Sequence, residues 1–402
     1  MTPRLHVPAI GGPHQFAHFL PIAFELAARG SANVTIFVPT QQDKQDLTEF
    51  ARSVGMALPP TIIMDLPDTI ERIVPAQMEK LARLLTWASR LRDCEAILCA
   101  ERTSTILKRL PGRCPPLIHI PHGAGDRAVG FEKRFRLFDQ VLVAGPKDRE
   151  RLIAEGVVSE GACTVSGPIK VASVLKAHNR RPAIFANDRP VILYNPHFSP
   201  HHSSAETFTR RLASAIVDDG RYNLIIAPHI RMAQHWDAAR RADWQAMAVA
   251  DRVLVDLGSP RSIDMTYTLG ADLYIGDVSS QVYEFLVRPR PCLFINAHDA
   301  DWEDSESYAM WRFGEVVPAN CDIPAAIDRA FKQHDLYRQA QVTRARAALH
   351  GLDWDSAGNP LFSHGDPVAN GASFIEAYMQ NHSVERPPQS IPFWRRLRKA
   401  SA

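Results

Sequence analysis

Asp277, Ser279, Ser280 and Glu284 lie close together in GDVSSQVYEFLV. Serine hydroxyls donate hydrogen bonds without bulk. A carboxylate one helical turn further on can accept from vicinal hydroxyls. A bound phosphate with its sugar beside it is the chemistry that this pattern could serve. The same residues could also cap a helix, as Asp and Ser often do. Three histidines stand where apolar runs end: His122 after LIHIP, His197 after VILYNP and His229 after NLIIAP. Histidine at such a place can take a proton from a hydroxyl or donate to phosphate oxygens. Each could equally be a satisfied structural histidine. Arg231 and Lys170 are candidate phosphate partners or solvated charges. Gly258, followed by Ser259 with Asp264 beyond, marks a further turn of the same kind. Gly11 and Gly12, ahead of His14, mark a close-approach loop or a plain tight turn. No HxH or HExxH spacing points to a metal, no GxSxG elbow points to a serine nucleophile, and no cofactor is implied.

These residues need elements to hold them. The run 273–275 reads as a buried strand, 280–288 as a helix stopped by Pro289 and Pro291, and 292–296 as the next strand. That order places the serine turn at a strand's carboxyl end, where backbone N–H groups and a helix dipole favour an anion. Strands are predicted at 5–10, 33–39, 61–66, 96–100, 116–120, 140–145 and 163–167. Helices fall between them, including 41–54, 75–91, 103–110 and 146–156. The first predicted helix carries Pro21, which should kink it. After a polar, proline-bearing stretch at 178–190, a second series runs through strands at 191–195, 222–228 and 252–257 and helices at 204–218, 231–248 and 262–269. Amphipathic segments near 322–349 and 369–380 close the chain. Repeated βα units predict an α/β fold, with two doubly wound Rossmann-like domains facing a central cleft. The expected division is 1–178 on the acceptor side and 190–345 for a nucleotide donor. Helices within 346–402 would return across the hinge and end in a basic tail.

The chain of 402 residues suits two or three domains, and its 46% hydrophobic content suits real cores. A net charge of +2 predicts no nucleic-acid partner. The six cysteines form no CxxC pair, and several sit in apolar runs. Reduced thiols and a cytoplasmic setting are the expectation. No signal peptide or membrane-spanning run is evident. In the tail, Phe393 and Trp394 beside Arg395, Arg396, Arg398 and Lys399 could dock an anionic inner-membrane surface, or could simply be solvated.

Taken in order, IPHGAGDR, VSGPIK, ILYNPH, LIIAPH and GDVSSQVYEFLVRPRPCLFIN resemble the motifs of the CDP-glycerol glycerophosphotransferases, the teichoic-acid polymerases and primases. The resemblance spans roughly 115–300. It implies a GT-B fold, a CDP- or UDP-linked donor and a glycan or lipid-linked acceptor. It casts His122 as the base and His229 as the histidine assisting the phosphates. Ser279 and Ser280 match the pyrophosphate-binding serines, and Glu284 falls where the family has Asp. Gly123 and His197 join Gly11, Gly12 and His14 as acceptor-side candidates. Val278, Lys170 and Ile230 depart from the family's Tyr, Arg and Pro. A UDP-sugar 2-epimerase and a non-catalytic GT-B nucleotide-binding module are the alternatives.

Overall fold

The computed structural model describes residues 2–123, 125–126, 133–177 and 181–382. The tail proposed to meet a membrane lies outside the described residues. No described helix is long and apolar enough to cross a membrane.

The strands come in chain order as β1 (Arg4–Pro8), β2 (Asn33–Val38), β3 (Thr61–Ile63), β4 (Ala96–Cys99), β5 (Leu117–His119), β6 (Gln140–Val143) and β7 (Cys163–Val165), then β8 (Val191–Asn195), β9 (Asn223–Ile226), β10 (Val253–Val255), β11 (Leu273–Gly276), β12 (Cys292–Asn296) and β13 (Glu315–Pro318). The first seven form one sheet in the order β3-β2-β1-β4-β5-β6-β7. The next six form a second, in the order β10-β9-β8-β11-β12-β13. Every pairing in both sheets is parallel. The two orders share one logic. In each, the chain steps outward from a central strand and then returns to that strand's other side. The reversal falls between β1 and β4 in one sheet and between β8 and β11 in the other. Loops diverge at such a point and leave a crevice beyond the strands' carboxyl ends.

Period-two alternation divides each strand between two cores. In β4, Ala96 and Leu98 face a core with the helix Pro13–Ala28, while Ile97 and Cys99 face one with Leu84 and Leu107. In β8, Val191 and Leu193 share a core with Tyr283 and Phe285, while Ile192 and Tyr194 pack with Phe208 and Leu212. Helix Ile169–Ala177 belongs to both halves. Its Ile169 and Ala172 enter the first sheet's core, and its Val171 and Val174 enter the second's. The final helix, Pro367–His382, buries Val368, Ala372, Ile375 and Met379 against the first sheet's core. Helix His334–Ala348 buries Ala345 and Ala348 in the second sheet's core. Its Gln341 donates to the carbonyls of Arg290 and Phe313, at 2.9 and 2.8 Å.

Several helices are shorter than their apolar spacing predicts. The stretch expected as one helix over 75–91 is a 3-10 turn, a helix at Glu79–Thr86 and a further turn at Ala88–Leu91. The stretch expected at 231–248 is helical only at Ala238–Gln245, starting where Asp237 caps the Arg240 N–H. This leaves His229 and Arg231 in a loop. The expected helix 103–110 is a 3-10 helix. Pro21 lies within Pro13–Ala28, an unbroken helical span, with its ring buried.

Candidate functional site

A cavity of about 620 Å³ lies between the carboxyl ends of the two sheets. The first turn of helix Pro13–Ala28, which follows β1, and the loops after β4 and β5 bring Gln15, Glu101 and His122 to one wall. Loops after β8, β9 and β11 bring His197, His229, Arg231, Ser279 and Ser280 to the other.

On the first wall the Gln15 amide donates to Glu101 Oε1 at 2.6 Å. The same nitrogen lies 3.5 Å from His122 Nδ1. His14 and His18 set their rings edge-on to His122, at 5.8 and 6.5 Å between centroids. Burial keeps all three imidazoles neutral at pH 7. It pushes His14 down to about 3, His18 well below its ordinary value, and His122 down against the opposing pull of Glu101. His122 is open to the cavity's water, yet protein encloses it on its other sides. Gly11 makes room for this cluster. A Cβ there would lie 1.8 Å from Gln15 Oε1 and 2.5 Å from Glu101 Oε1. The close approach expected at the glycine pair is thus the chain's own side chain. Gly12 turns the backbone with φ +96° and is not among the residues facing the cavity.

On the second wall two histidines are locked in the same manner. His197 Nδ1 accepts from the Ser199 N–H at 3.0 Å, and His229 Nδ1 accepts from the Arg231 N–H at 3.3 Å. Each neutral ring therefore carries its proton on Nε2 and acts there as a donor. Burial, reinforced by Arg231, pushes His229 down to about 4. The Arg231 guanidinium lies over the Phe198 ring, 4.5 Å from its centroid, and Phe198 packs in turn on His229. His197 lies on the cavity's donor side, with His229, rather than with the first wall's groups.

The serine turn departs from expectation in three respects. Helix Gln281–Phe285 is barely longer than one turn, so its dipole adds little. Ser279 Oγ accepts from the Gln281 N–H at 3.3 Å, which gives it a local capping role. Asp277 does not reach the cavity. It is fully buried, and one carboxyl oxygen accepts from the His197 and Ser204 N–H groups at 2.9 and 3.0 Å. Its other oxygen finds no hydrogen-bond partner, and burial raises the acid to about 6. Asp277 thus shapes the loop that carries His197 and would bind no phosphate directly. Gly258 is likewise turned away. Its N–H donates to Asp256 Oδ1 at 2.9 Å, an oxygen that also takes the Ser259 N–H.

Contacts between the two halves surround the cavity. Glu284 pairs with Lys170 at 2.6 Å, and both side chains are largely buried. Ser280 packs against the loop that follows His122. A Cβ on Gly123 would lie 3.0 Å from Ser280 Oγ, and one on Gly125 would lie 3.1 Å from Ser280 Cβ. Gly123 also has φ +85°, so glycine suits it on both counts. Asp126, almost wholly buried, takes Lys147 at 3.0 Å and Arg344 at 2.9 Å, and also accepts from the Tyr283 hydroxyl. Asp126 is thereby committed to the interface and is a poor substitute for a catalytic base. Among the described residues no cluster of three or more His, Cys, Asp or Glu could hold a metal ion.

Sequence reasoning missed Gln15, Glu101, His18 and Lys80. Glu101 follows an apolar strand just as His122 does, and the strand-end criterion would have found it had it been applied to carboxylates. Gln15 and His18 sit among apolar residues of a helix, and nothing in their spacing marks them.

No known protein family and no curated protein matches the chain by sequence. Solved structures do match its shape. The S. aureus MnaA–UDP complex is similar at TM-score 0.63 and 13% identity, over 97% of this chain and 100% of that one. The putative UDP-N-acetylglucosamine 2-epimerase from Listeria monocytogenes is similar at 0.60 and 14%, over 97% and 100%. The wall teichoic acid polymerase TagF, soaked with CDPG, is similar at 0.59 and 10%, over 95% and 90%. This chain has a GT-B-type fold. Its structural neighbours are enzymes, and the three named here include an epimerase and a polymerase.

Proposed function

We propose that the protein is a GT-B transferase. It would take a glycerol-phosphate or sugar group from a CDP- or UDP-linked donor to a hydroxyl of an envelope glycan or lipid-linked acceptor. The observation that carries this reading is the second wall. Two imidazole N–H donors, one guanidinium and a serine pair converge there, a set suited to a pyrophosphate whose charge grows as the leaving group departs. Glu284 lies beside it, and ribose hydroxyls could replace Lys170 as its partner. His122 faces this wall from the side where an acceptor would enter.

One observation favours a UDP-sugar 2-epimerase instead. Ser280 closes against Gly123 and Gly125 across the cleft, and a cleft pinched at that point suits a reaction within a single bound molecule. Incubation with UDP-N-acetylglucosamine separates the two readings, because a 2-epimer product defeats the transferase. For the donor site, a thermal-shift screen of CDP, UDP and GDP forms should show stabilisation by at least one. Replacing Ser279 and Ser280 together by Ala should weaken that nucleotide by roughly 1.5–3 kcal/mol for each hydrogen bond lost to charged phosphate. Unchanged titration curves would remove this turn from the donor site.

A further inference from the structure

Among the described residues three carboxylates border the cavity, and two are committed. Glu284 holds Lys170 at 2.6 Å, and Asp148 holds Lys147 at 2.8 Å. Glu101 keeps Lys80 at 3.8 Å and otherwise meets the Gln15 amide. It follows β4, at the point where the first sheet's strand order reverses. A carboxylate there stands where ligands of such folds bind.

The Gln15 amide fixes what its neighbours can do. An ionised carboxylate only accepts, so the atom facing Glu101 is the amide nitrogen. That same nitrogen faces His122 Nδ1 at 3.5 Å. A group carrying hydrogens therefore points at Nδ1, and Nδ1 keeps its lone pair. The proton of the neutral ring sits on Nε2. At rest His122 is a donor, like His197 and His229, and not the base that its position after β5 suggests.

We propose that Glu101 is the general base of the transfer and that His122 donates a hydrogen bond to the transferring phosphate. Gln15 is the positioning residue that assigns these roles. For a donor carrying a pyrophosphate, the acceptor oxygen forms a bond to the distal phosphorus. The bridging P–O bond breaks, and the nucleoside monophosphate leaves with its electron pair. The acceptor's hydroxyl proton passes to Glu101 and then to water when product leaves. This assignment rests on the transferase reading above, but its first test does not.

That test is nitrogen NMR of protein labelled with ¹⁵N-histidine at pH 7.5, with His122 assigned by its loss in His122→Asn. The expected signature is an Nε2–H tautomer that becomes mixed in Gln15→Leu. An Nδ1–H tautomer in the wild type would overturn the proposal. The second test uses a donor and acceptor that the wild type turns over. Glu101→Gln should lower turnover by roughly 10²–10⁴-fold with the nucleotide Kd unchanged, which also certifies the fold. Added formate should restore part of the rate to Glu101→Gly, a rescue that a purely structural role would not show. Near-normal turnover in Glu101→Gln overturns the base assignment while leaving the transferase intact. A wild type inactive with every nucleotide donor overturns the transferase reading and the base assignment with it, while the tautomer result stands alone.

Discussion

On the wall built from β1, β4 and β5, the groups facing the cavity mix acceptor and donor: Glu101, Gln15 and neutral imidazoles. On the wall built from β8, β9 and β11 they are weighted toward donors: Nε2–H of two histidines, Arg231 and the serine pair. Both walls come from sheets whose first six strands follow the same order. Equal topology therefore does not dictate equal chemistry, because strand-end loops can carry any side chain without disturbing the cores below them. A wall of donors suits a ligand that is already charged. A wall with a carboxylate suits a ligand that must lose a proton.

The strongest way to break this comparison is to part the walls. Asp126→Ala leaves Lys147 and Arg344 without their shared carboxylate inside the interface. The expected loss of stability is about 3–5 kcal/mol, measured by denaturant unfolding. A loss below about 1 kcal/mol would mean that the network holds little. A second test asks whether the walls divide the labour. His122→Ala should lower turnover by roughly 10²–10³-fold through a lost transition-state donor, with nucleotide affinity retained. His229→Ala should weaken the nucleotide itself, because its partner is already present in the ground state. Isothermal titration beside steady-state kinetics reads both. Equal effects of the two variants on Kd would erase the distinction.

The smallest expected effect concerns Asp277, beneath the second wall. Its acid rises from 3.8 to about 6 on folding. The folded state thus holds a proton that the unfolded chain has released. Stability from this group is fully present below pH 4 and is lost as pH climbs to about 6, at about 1.4 kcal/mol per pH unit. Asp277→Asn should flatten that limb while sparing the loop's N–H contacts. Parallel pH–stability curves for the variant and the wild type would refute the assignment.

The fold was legible because parallel strands buried on both faces read as apolar runs, and because Gly, Pro and polar clusters separate them. Reading His122, His197 and His229 at strand ends found both walls of the cavity. The reading failed where tertiary partners decide a residue's role. Asp277 looks like a ligand by its neighbours, yet the N–H groups of His197 and Ser204, distant in sequence, draw it inside. Glu284 keeps its place beside the serine turn, but its resting partner Lys170 comes from the other half, where local spacing could not show it. The Gln15–Glu101 bond likewise joins a helix start to a strand-end loop that no local pattern relates.

Helix Ile169–Ala177 sends alternate faces into two cores. A rotation of one sheet against the other that keeps both cores intact would run close to this helix, as about an axle. Displacement near an axle is small and grows with distance from it. Lys170 sits on the helix's first turn, so its pair with Glu284 should be the last contact to separate as the cleft swings open. That would make the ion pair a fulcrum, holding its register while the rim near Gly123 and Ser280 parts.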